Sequence, residues 1–139
     1  QRSDKTVDDK AAAVANTAVE RARDGVFIHI SHGSDDPHRV VMALRMATMM
    51  ADDKDVLVYC DIKGIEAVLK DSKDITYPTF PSAKTSLTEL LNKKVQVYAC
   101  PGCMKAAGKT QNDLTPGVTL AEKEKFFGFT KGRILSLDY

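Results

Sequence analysis

The sequence lacks several features that would point to particular partners. It contains no tryptophan, and aromatic residues make up only 6% of it, so it suggests no platform for stacking sugars or nucleobases. Its 20 basic and 19 acidic side chains nearly cancel, which removes the electrostatic reason to propose nucleic acid or an anionic membrane as a partner. No apolar run approaches the length of a membrane span. We therefore expect neither a nucleic-acid partner nor a membrane span.

Cysteine is scarce as well. The chain has three cysteines, and this odd number does not form a framework of disulfides. Cysteine usage does not fix the compartment, and no residue pattern indicates a cofactor. The chain begins at Gln1 rather than methionine. Either an export signal was removed, or the N-terminus was cut in another way. If an export signal was removed before Gln1, the protein is periplasmic or exported; otherwise it is cytoplasmic.

The length and composition are those of one globular domain with its own core. The chain has 139 residues, of which 43% are hydrophobic and 28% charged. Residues 4–22 are rich in alanine, and their apolar positions recur at helical spacing. We expect a peripheral helix there, so that residues 1–24 form a helical extension and residues 25–139 the main domain.

From residue 26 onward, short apolar runs alternate with amphipathic helical segments. The predicted strands span 26–31, 55–60, 95–99, 118–121 and 133–139, and the predicted helices span 38–51, 64–70, 86–93, 104–108 and 122–127. This alternation predicts a three-layer α/β domain with a mainly parallel sheet of about five strands. Functional residues of such sheets gather at the carboxyl ends of the strands. Ser31, Cys60 and Cys100 lie at the carboxyl ends of predicted strands, so these residues and the loop after Ser31 are expected to meet at one edge.

The strongest chemical signal is the run Cys100-Pro101-Gly102-Cys103, where a strand is predicted to become a helix. The positive end of a helix dipole and its free N–H groups favour a thiolate over a thiol. Pro101 suits the first helical position, where no N–H is needed. Cys100 is therefore the candidate nucleophile, and Cys103 is either a resolving thiol or a partly buried helix residue. For Cys100 the competing interpretation is a small apolar residue that closes a strand.

Three further residues are possible accessories. Cys60 ends the second predicted strand and is either a participating thiol or a packed core thiol. His32 and His38 flank the first loop, where each is either an acid–base partner, a metal ligand or simply exposed. His29 lies inside a predicted strand and is expected to be structural.

The helix predicted over residues 38–51 carries two further expectations. Asp35 and Asp36 precede it and are expected to be loop and N-cap residues rather than paired catalytic carboxylates. Its methionines are expected to divide between the core and an oligomer interface. They are Met42, Met46, Met49 and Met50.

Taken together, these segments resemble the DsrE/DsrF-like sulfur-relay family. The similarity runs from Val26 to the C-terminus and includes the strand, polar loop and helix over residues 26–51. It also includes Cys100 with a helix and Gly108 after it, the turn and strand at Pro116-Gly117-Val118, and the last strand. The resemblance implies a flavodoxin-like fold, a homo-oligomer (trimer or hexamer), sulfur donor and acceptor proteins as partners, and a persulfide carried on Cys100.

Four functions remain as hypotheses at this point. The first is sulfur trafficking or sulfur transfer through Cys100. The second is a metal-binding or redox-sensing oligomeric module that uses Cys100, Cys103, Cys60 and a histidine, a ligand set that would suit zinc or copper(I). A thioredoxin-like disulfide oxidoreductase is weaker, because the cysteine pair follows the third strand and no tryptophan precedes it. The fourth hypothesis is an oligomeric scaffold without chemistry.

Overall fold

A computed structural model describes residues 22–139 of the chain. The helix predicted over residues 4–22 falls, but for its last residue, outside the described residues. Strands and helices alternate along the rest of the chain. The strands are β1 (Gly25–Ile30), β2 (Asp55–Cys60), β3 (Gln96–Ala99), β4 (Thr119–Leu120) and β5 (Ile134–Asp138). The helices are α1 (Pro37–Met50), α2 (Ala83–Asn92), α3 (Pro101–Ala106) and α4 (Lys123–Phe129), with 3₁₀ helices at Ile62–Ala67 and Gln111–Asp113.

The five strands form one sheet in the order β4-β3-β2-β1-β5, and every pairing is parallel. All carboxyl ends therefore lie at the same edge of the sheet, which we call the carboxyl edge. The predicted α/β fold with a parallel sheet of about five strands is confirmed. Within residues 22–139, no helix is long and apolar enough to cross a membrane.

Successive side chains of each strand point to opposite faces of the sheet. On one side, which we call the core face, the side chains are aliphatic or small and buried against α1 and α2. These residues are Val26, Ile28, Ile30, Val56, Val58, Cys60, Val97 and Ala99. Phe27 and Leu57 place apolar side chains on the opposite face as well, which explains why β1 and β2 are recognisable as apolar runs in the sequence.

The opposite side, which we call the aromatic face, presents Phe27, His29, Tyr59 and Tyr98. Phe126 of α4 packs against this face, with its ring centroid 5.1 Å from that of Tyr59 and 6.0 Å from that of Tyr98. Helices thus cover both faces, which makes three layers. The two faces differ in chemistry, because only the aromatic face carries polar atoms on its central strands.

The observed helices differ from the predicted ones mainly at their starts. Asp36 caps α1 as expected, and its side chain accepts a hydrogen bond from the Arg39 N–H. Helix α2 begins three residues earlier than predicted, because the Ser82 hydroxyl accepts the N–H of Thr85. Ser82 follows Pro81, a combination that marks helix starts and that the apolar spacing alone did not show.

The helix predicted over residues 64–70 is instead a 3₁₀ helix at Ile62–Ala67. Gly64 lies so close to the end of β1 that a Cβ atom there would be 1.9 Å from the carbonyl oxygen of Ile30. The tight turn therefore depends on a glycine that touches another strand, a contact that the local sequence does not reveal. This contact holds the 3₁₀ helix against the carboxyl edge.

Candidate functional site

Cys100 lies at the carboxyl edge, where β3 passes into α3. Its backbone N–H donates to the carbonyl of Cys60 at 2.9 Å, which continues the pairing of β3 with β2. Its side chain caps α3, and the Sγ atom accepts the backbone N–H of Cys103 at 3.2 Å. Pro101 occupies the first helical position as predicted. The sulfur is partly exposed and faces the donors of the first helical turn.

Neighbouring donor groups favour the thiolate form of Cys100. Burial by itself raises the pKa of this thiol. The Cys103 thiol and backbone N–H, the Tyr59 hydroxyl and the Gly102 N–H all donate toward the sulfur and together hold its pKa below the ordinary value. Donors that stabilise the ionised form lower a pKa in this way. Of the two thiols, Cys100 is therefore the one whose ionised form its surroundings favour.

Cys103 has the opposite character. Burial raises its pKa, and so do its hydrogen bond to Cys100 and the negative charges of Cys100 and Asp61. The backbone N–H of Ile62 donates to the Cys103 sulfur at 3.1 Å and acts in the other direction, but the net shift is upward. The pair thus consists of one thiol with a lowered pKa and one with a raised pKa.

Ile62 is held in an unusual conformation beside this pair. Its φ is 51°, in the left-handed region that β-branched residues rarely adopt. That conformation aims the N–H at the Cys103 sulfur. The Ile62 side chain is 63% exposed, so the apolar group stands in solvent next to the two thiols.

His29 has partners that the sequence did not suggest. Its Nε2 atom is 2.7 Å from Oδ1 of Asp61, and its Nδ1 atom is 2.9 Å from Oδ1 of Asp138. Burial lowers the pKa of His29, but the hydrogen bonds and charges of the two carboxylates outweigh burial and raise it. The ring stacks on that of Tyr59, with a centroid distance of 5.9 Å and an interplanar angle of 21°.

Cys60 lies on the core face and is fully buried. Burial and the charge of Asp61 raise the pKa of its thiol to about 12. It lies at the same end of the sheet as Cys100, yet its side chain points to the opposite side. The structure therefore brings Cys103 to Cys100 and packs Cys60 in the core.

The two loop histidines contact other groups. His32 Nδ1 is 3.0 Å from a carboxylate oxygen of Asp35. The Gly33 N–H and the His32 side chain hold the pKa of Asp35 at about 2. His38 stacks flat on Tyr77 with a centroid distance of 4.0 Å. The accessory roles of His32 and His38 remain predictions.

The described residues do not favour the metal-binding hypothesis. Within residues 22–139, no group of three or more histidine, cysteine or acidic side chains is arranged so that it could hold a metal ion. The cysteines of this range are all free thiols, Cys60 buried and the other two partly exposed.

The fold and the site together define a parallel α/β protein with two unlike thiols at the carboxyl edge of its sheet. The model of the DsrE/DsrF-like family matches residues 24–131. The chain therefore belongs to the DsrE/DsrF-like family, as the resemblance in its sequence indicated. The sequence range of this match includes both thiols and the residues around them, except for Asp138.

Two solved structures show the same fold. The crystal structure of the YchN protein from E. coli superposes with a TM-score of 0.66 at 16% identity and covers 84% of this chain and 100% of that chain. MTH1491, a protein of unknown function from Methanobacterium thermoautotrophicum, superposes with a TM-score of 0.58 at 21% identity and equal coverage. No functionally curated protein is significantly similar in sequence.

Proposed function

We propose that this protein is a sulfur carrier, or a sulfurtransferase, that holds sulfane sulfur as a persulfide on Cys100. The observation that carries the proposal is the hydrogen bonding of the Cys100 sulfur, which holds its pKa below that of an ordinary thiol. Membership of a family associated with sulfur relay supports the same chemistry. A partly exposed thiolate with several donors around it suits a sulfur atom that must arrive and leave.

The loading step is a simple exchange of sulfur. The Cys100 thiolate attacks the outer sulfur of a donor persulfide, R–S–SH, and forms Cys100–S–SH. The S–S bond of the donor breaks, and its inner sulfur departs as the thiolate R–S⁻. No electrons are gained or lost overall, so the step needs no oxidant. The donors around Cys100 also suit the anionic persulfide, because a persulfide is more acidic than a thiol.

Cys103 suits the release of sulfur. After losing its proton, it attacks the inner sulfur of Cys100–S–SH, forms the Cys100–Cys103 disulfide and displaces HS⁻. The two cysteine sulfurs are oxidised and the outer sulfur is reduced, so the step balances. An external thiol must then reduce the disulfide before the next cycle. The raised pKa of Cys103 makes this step slower than loading.

The test is the intact mass of the protein after incubation with polysulfide. The wild-type chain should gain one sulfur atom, and peptide mapping should place it on Cys100. Cys100→Ser should abolish loading, whereas Cys103→Ser should retain loading and slow the release of sulfur. Cys60→Ala is the matched control and should load as the wild type does. Equal loading of Cys100→Ser and wild type would contradict the proposal.

We also infer that the chain forms a homo-oligomer, a trimer or a hexamer, which receives sulfur from and passes it to partner proteins. Met46 and Met50 of α1 pack against the core. Met42 and Met49 are 40% and 55% exposed, respectively, on the same helix, and apolar side chains of this kind are common at interfaces. Light scattering at micromolar concentration tests this, and a monomeric mass would count against it.

A further inference from the structure

The cluster of His29, Asp61 and Asp138 spans three strand ends at the carboxyl edge. Both ring nitrogens of His29 lie within hydrogen-bonding distance of a carboxylate oxygen. Ionised carboxylates only accept hydrogen bonds, so only the doubly protonated imidazolium satisfies both contacts at once. With a neutral ring, one nitrogen lone pair would face a carboxylate oxygen. The geometry therefore favours a positively charged His29 between two negative groups.

This cluster reaches the thiols by two routes. The first is Tyr59, whose ring stacks on His29. Tyr59 directly precedes Cys60, whose carbonyl accepts the Cys100 N–H, and its side chain lowers the pKa of Cys100. The second is Asp61, whose negative charge raises the pKa of Cys103 and that of Tyr59. Asp61 also directly precedes Ile62, the donor to the Cys103 sulfur. His29 touches neither sulfur but contacts both groups that act on them.

We propose that His29 is a positioning residue for the Cys100 thiolate: its imidazolium neutralises Asp61 and fixes the ring of Tyr59. This rests on the proposed role of Cys100 as the nucleophile. When His29 is neutral, the two carboxylates leave one more uncompensated negative charge beside the thiols. That charge disfavours a second anion at Cys100. Among the described residues, Asp61 and Asp138 are the charged groups at the His29 ring, and Tyr59 is the titratable group stacked on it.

The test is the rate of Cys100 alkylation by iodoacetamide as a function of pH, measured by peptide mass. His29→Gln keeps a hydrogen-bonding side chain but removes the positive charge. It should slow alkylation at pH 7 severalfold, because the positive charge that offsets Asp61 beside the thiols is lost. The midpoint of the pH profile should move upward. Asp61→Asn removes a negative charge instead and should move the midpoint downward.

The opposite signs separate an electrostatic role from a structural one. A loosened site would slow the alkylation of Cys100 in both variants. Midpoint shifts of the same sign in His29→Gln and Asp61→Asn would therefore overturn the proposal. Arg133→Gln is the matched control, because Arg133 pairs with Asp24 at 2.7 Å between the same two chain segments but at the opposite end of the sheet. It should leave the midpoint unchanged. An equal shift in Arg133→Gln would also overturn the proposal.

The alkylation test does not require sulfur transfer. If wild-type protein fails to load sulfur from polysulfide while His29→Gln still moves the alkylation midpoint, the proposed function fails and the role of His29 stands. If the wild type loads sulfur and His29→Gln leaves the midpoint unchanged, the role of His29 fails alone. An NMR titration of the His29 ring adds a direct check, since its midpoint should lie above that of an ordinary histidine and should fall in Asp138→Asn.

Discussion

Cys60 and Cys100 lie at the same end of neighbouring strands, and their backbones are joined by a hydrogen bond of 2.9 Å. Nevertheless, the pKa of Cys60 is raised to about 12, whereas that of Cys100 is lowered. The difference arises from the face of the sheet to which each side chain points. The core face offers Cys60 only aliphatic neighbours, and the aromatic face offers Cys100 a hydroxyl and several N–H donors. The alternation of the strand thus decides whether the surroundings of a thiol at this edge raise or lower its pKa.

The largest expected effect is the difference in reactivity between these two thiols. In the folded protein at pH 7, iodoacetamide should alkylate Cys100 about 1,000-fold faster than Cys60, because only the thiolate reacts and the buried thiol hardly ionises. Peptide mass spectrometry measures both rates in one sample. Unfolding in urea provides the control and should remove most of the difference. Comparable rates in the native protein would contradict the contrast between the faces.

Gly64 supports the edge on which both thiols lie. Gly64→Ala should destabilise the protein by about 3 kcal/mol, because the new methyl group meets the Ile30 carbonyl and the backbone must move. Urea unfolding measures this loss. Gly128→Ala is the matched control, since a Cβ at Gly128 meets nothing within 4 Å. Unchanged stability in Gly64→Ala would mean that the 3₁₀ helix is not held against β1 as described.

Cys60→Ser tests whether the Cys60 side chain serves the packing of the core face rather than the chemistry of Cys100. The serine hydroxyl would be buried among aliphatic side chains without a hydrogen-bond partner, so the variant should lose about 2 kcal/mol of stability. Sulfur loading should remain at the wild-type level, because Cys60 does not face Cys100. Loss of loading without loss of stability would show instead that Cys60 takes part in the chemistry.

Tyr59→Phe probes the aromatic face by removing a single hydroxyl. The Cys100 thiol would lose a group that lowers its pKa, and its alkylation at pH 7 should slow about tenfold. Tyr98→Phe is the matched control on the next strand of the same face, where burial raises the pKa of the phenol and no contact with Cys100 contributes. An equal slowing in both variants would indicate a general effect of the aromatic face.

The smallest expected effect concerns stability as a function of pH. The pKa of His29 is raised in the folded state, so its contribution is fully present below the unfolded value of about 6.5 and is lost as pH rises through the higher folded value. The stability difference between wild type and His29→Gln should therefore shrink from pH 6 to pH 9. Urea midpoints across this range measure it, and a difference that grows with pH would refute the assignment.

The sequence revealed the core face better than the aromatic face. Apolar runs marked β1 and β2, and Asp36 marked the start of α1, because these signals are local. The position of Cys100 before a helix was also predicted from local signals, since a cysteine before Pro101 at a strand end is a recognisable pattern. These features depend on residues a few positions apart, which periodicity and capping rules detect.

The rest of the site depends on contacts between distant parts of the chain. Asp61 lies 32 residues from His29, and Asp138 lies 109 residues from it. His29 was expected to be structural because a histidine inside a strand shows nothing of its neighbours across the sheet. The register of β5 beside β1, which sets His29 opposite Asp138, was needed to reveal the pair. The N–H of Ile62 likewise donates from a left-handed backbone conformation, which the residue type isoleucine gives no reason to predict.

The alternation of β2 also constrains how this protein can evolve. Exchanges among valine, isoleucine and leucine at Val56 or Val58 keep the core filled and should be tolerated. Inserting or deleting one residue within β2 would instead exchange the faces of every residue beyond it. Tyr59 would enter the core, and Cys60 would turn toward the aromatic face. Changes in the composition of this strand should therefore be tolerated far more readily than changes in its length.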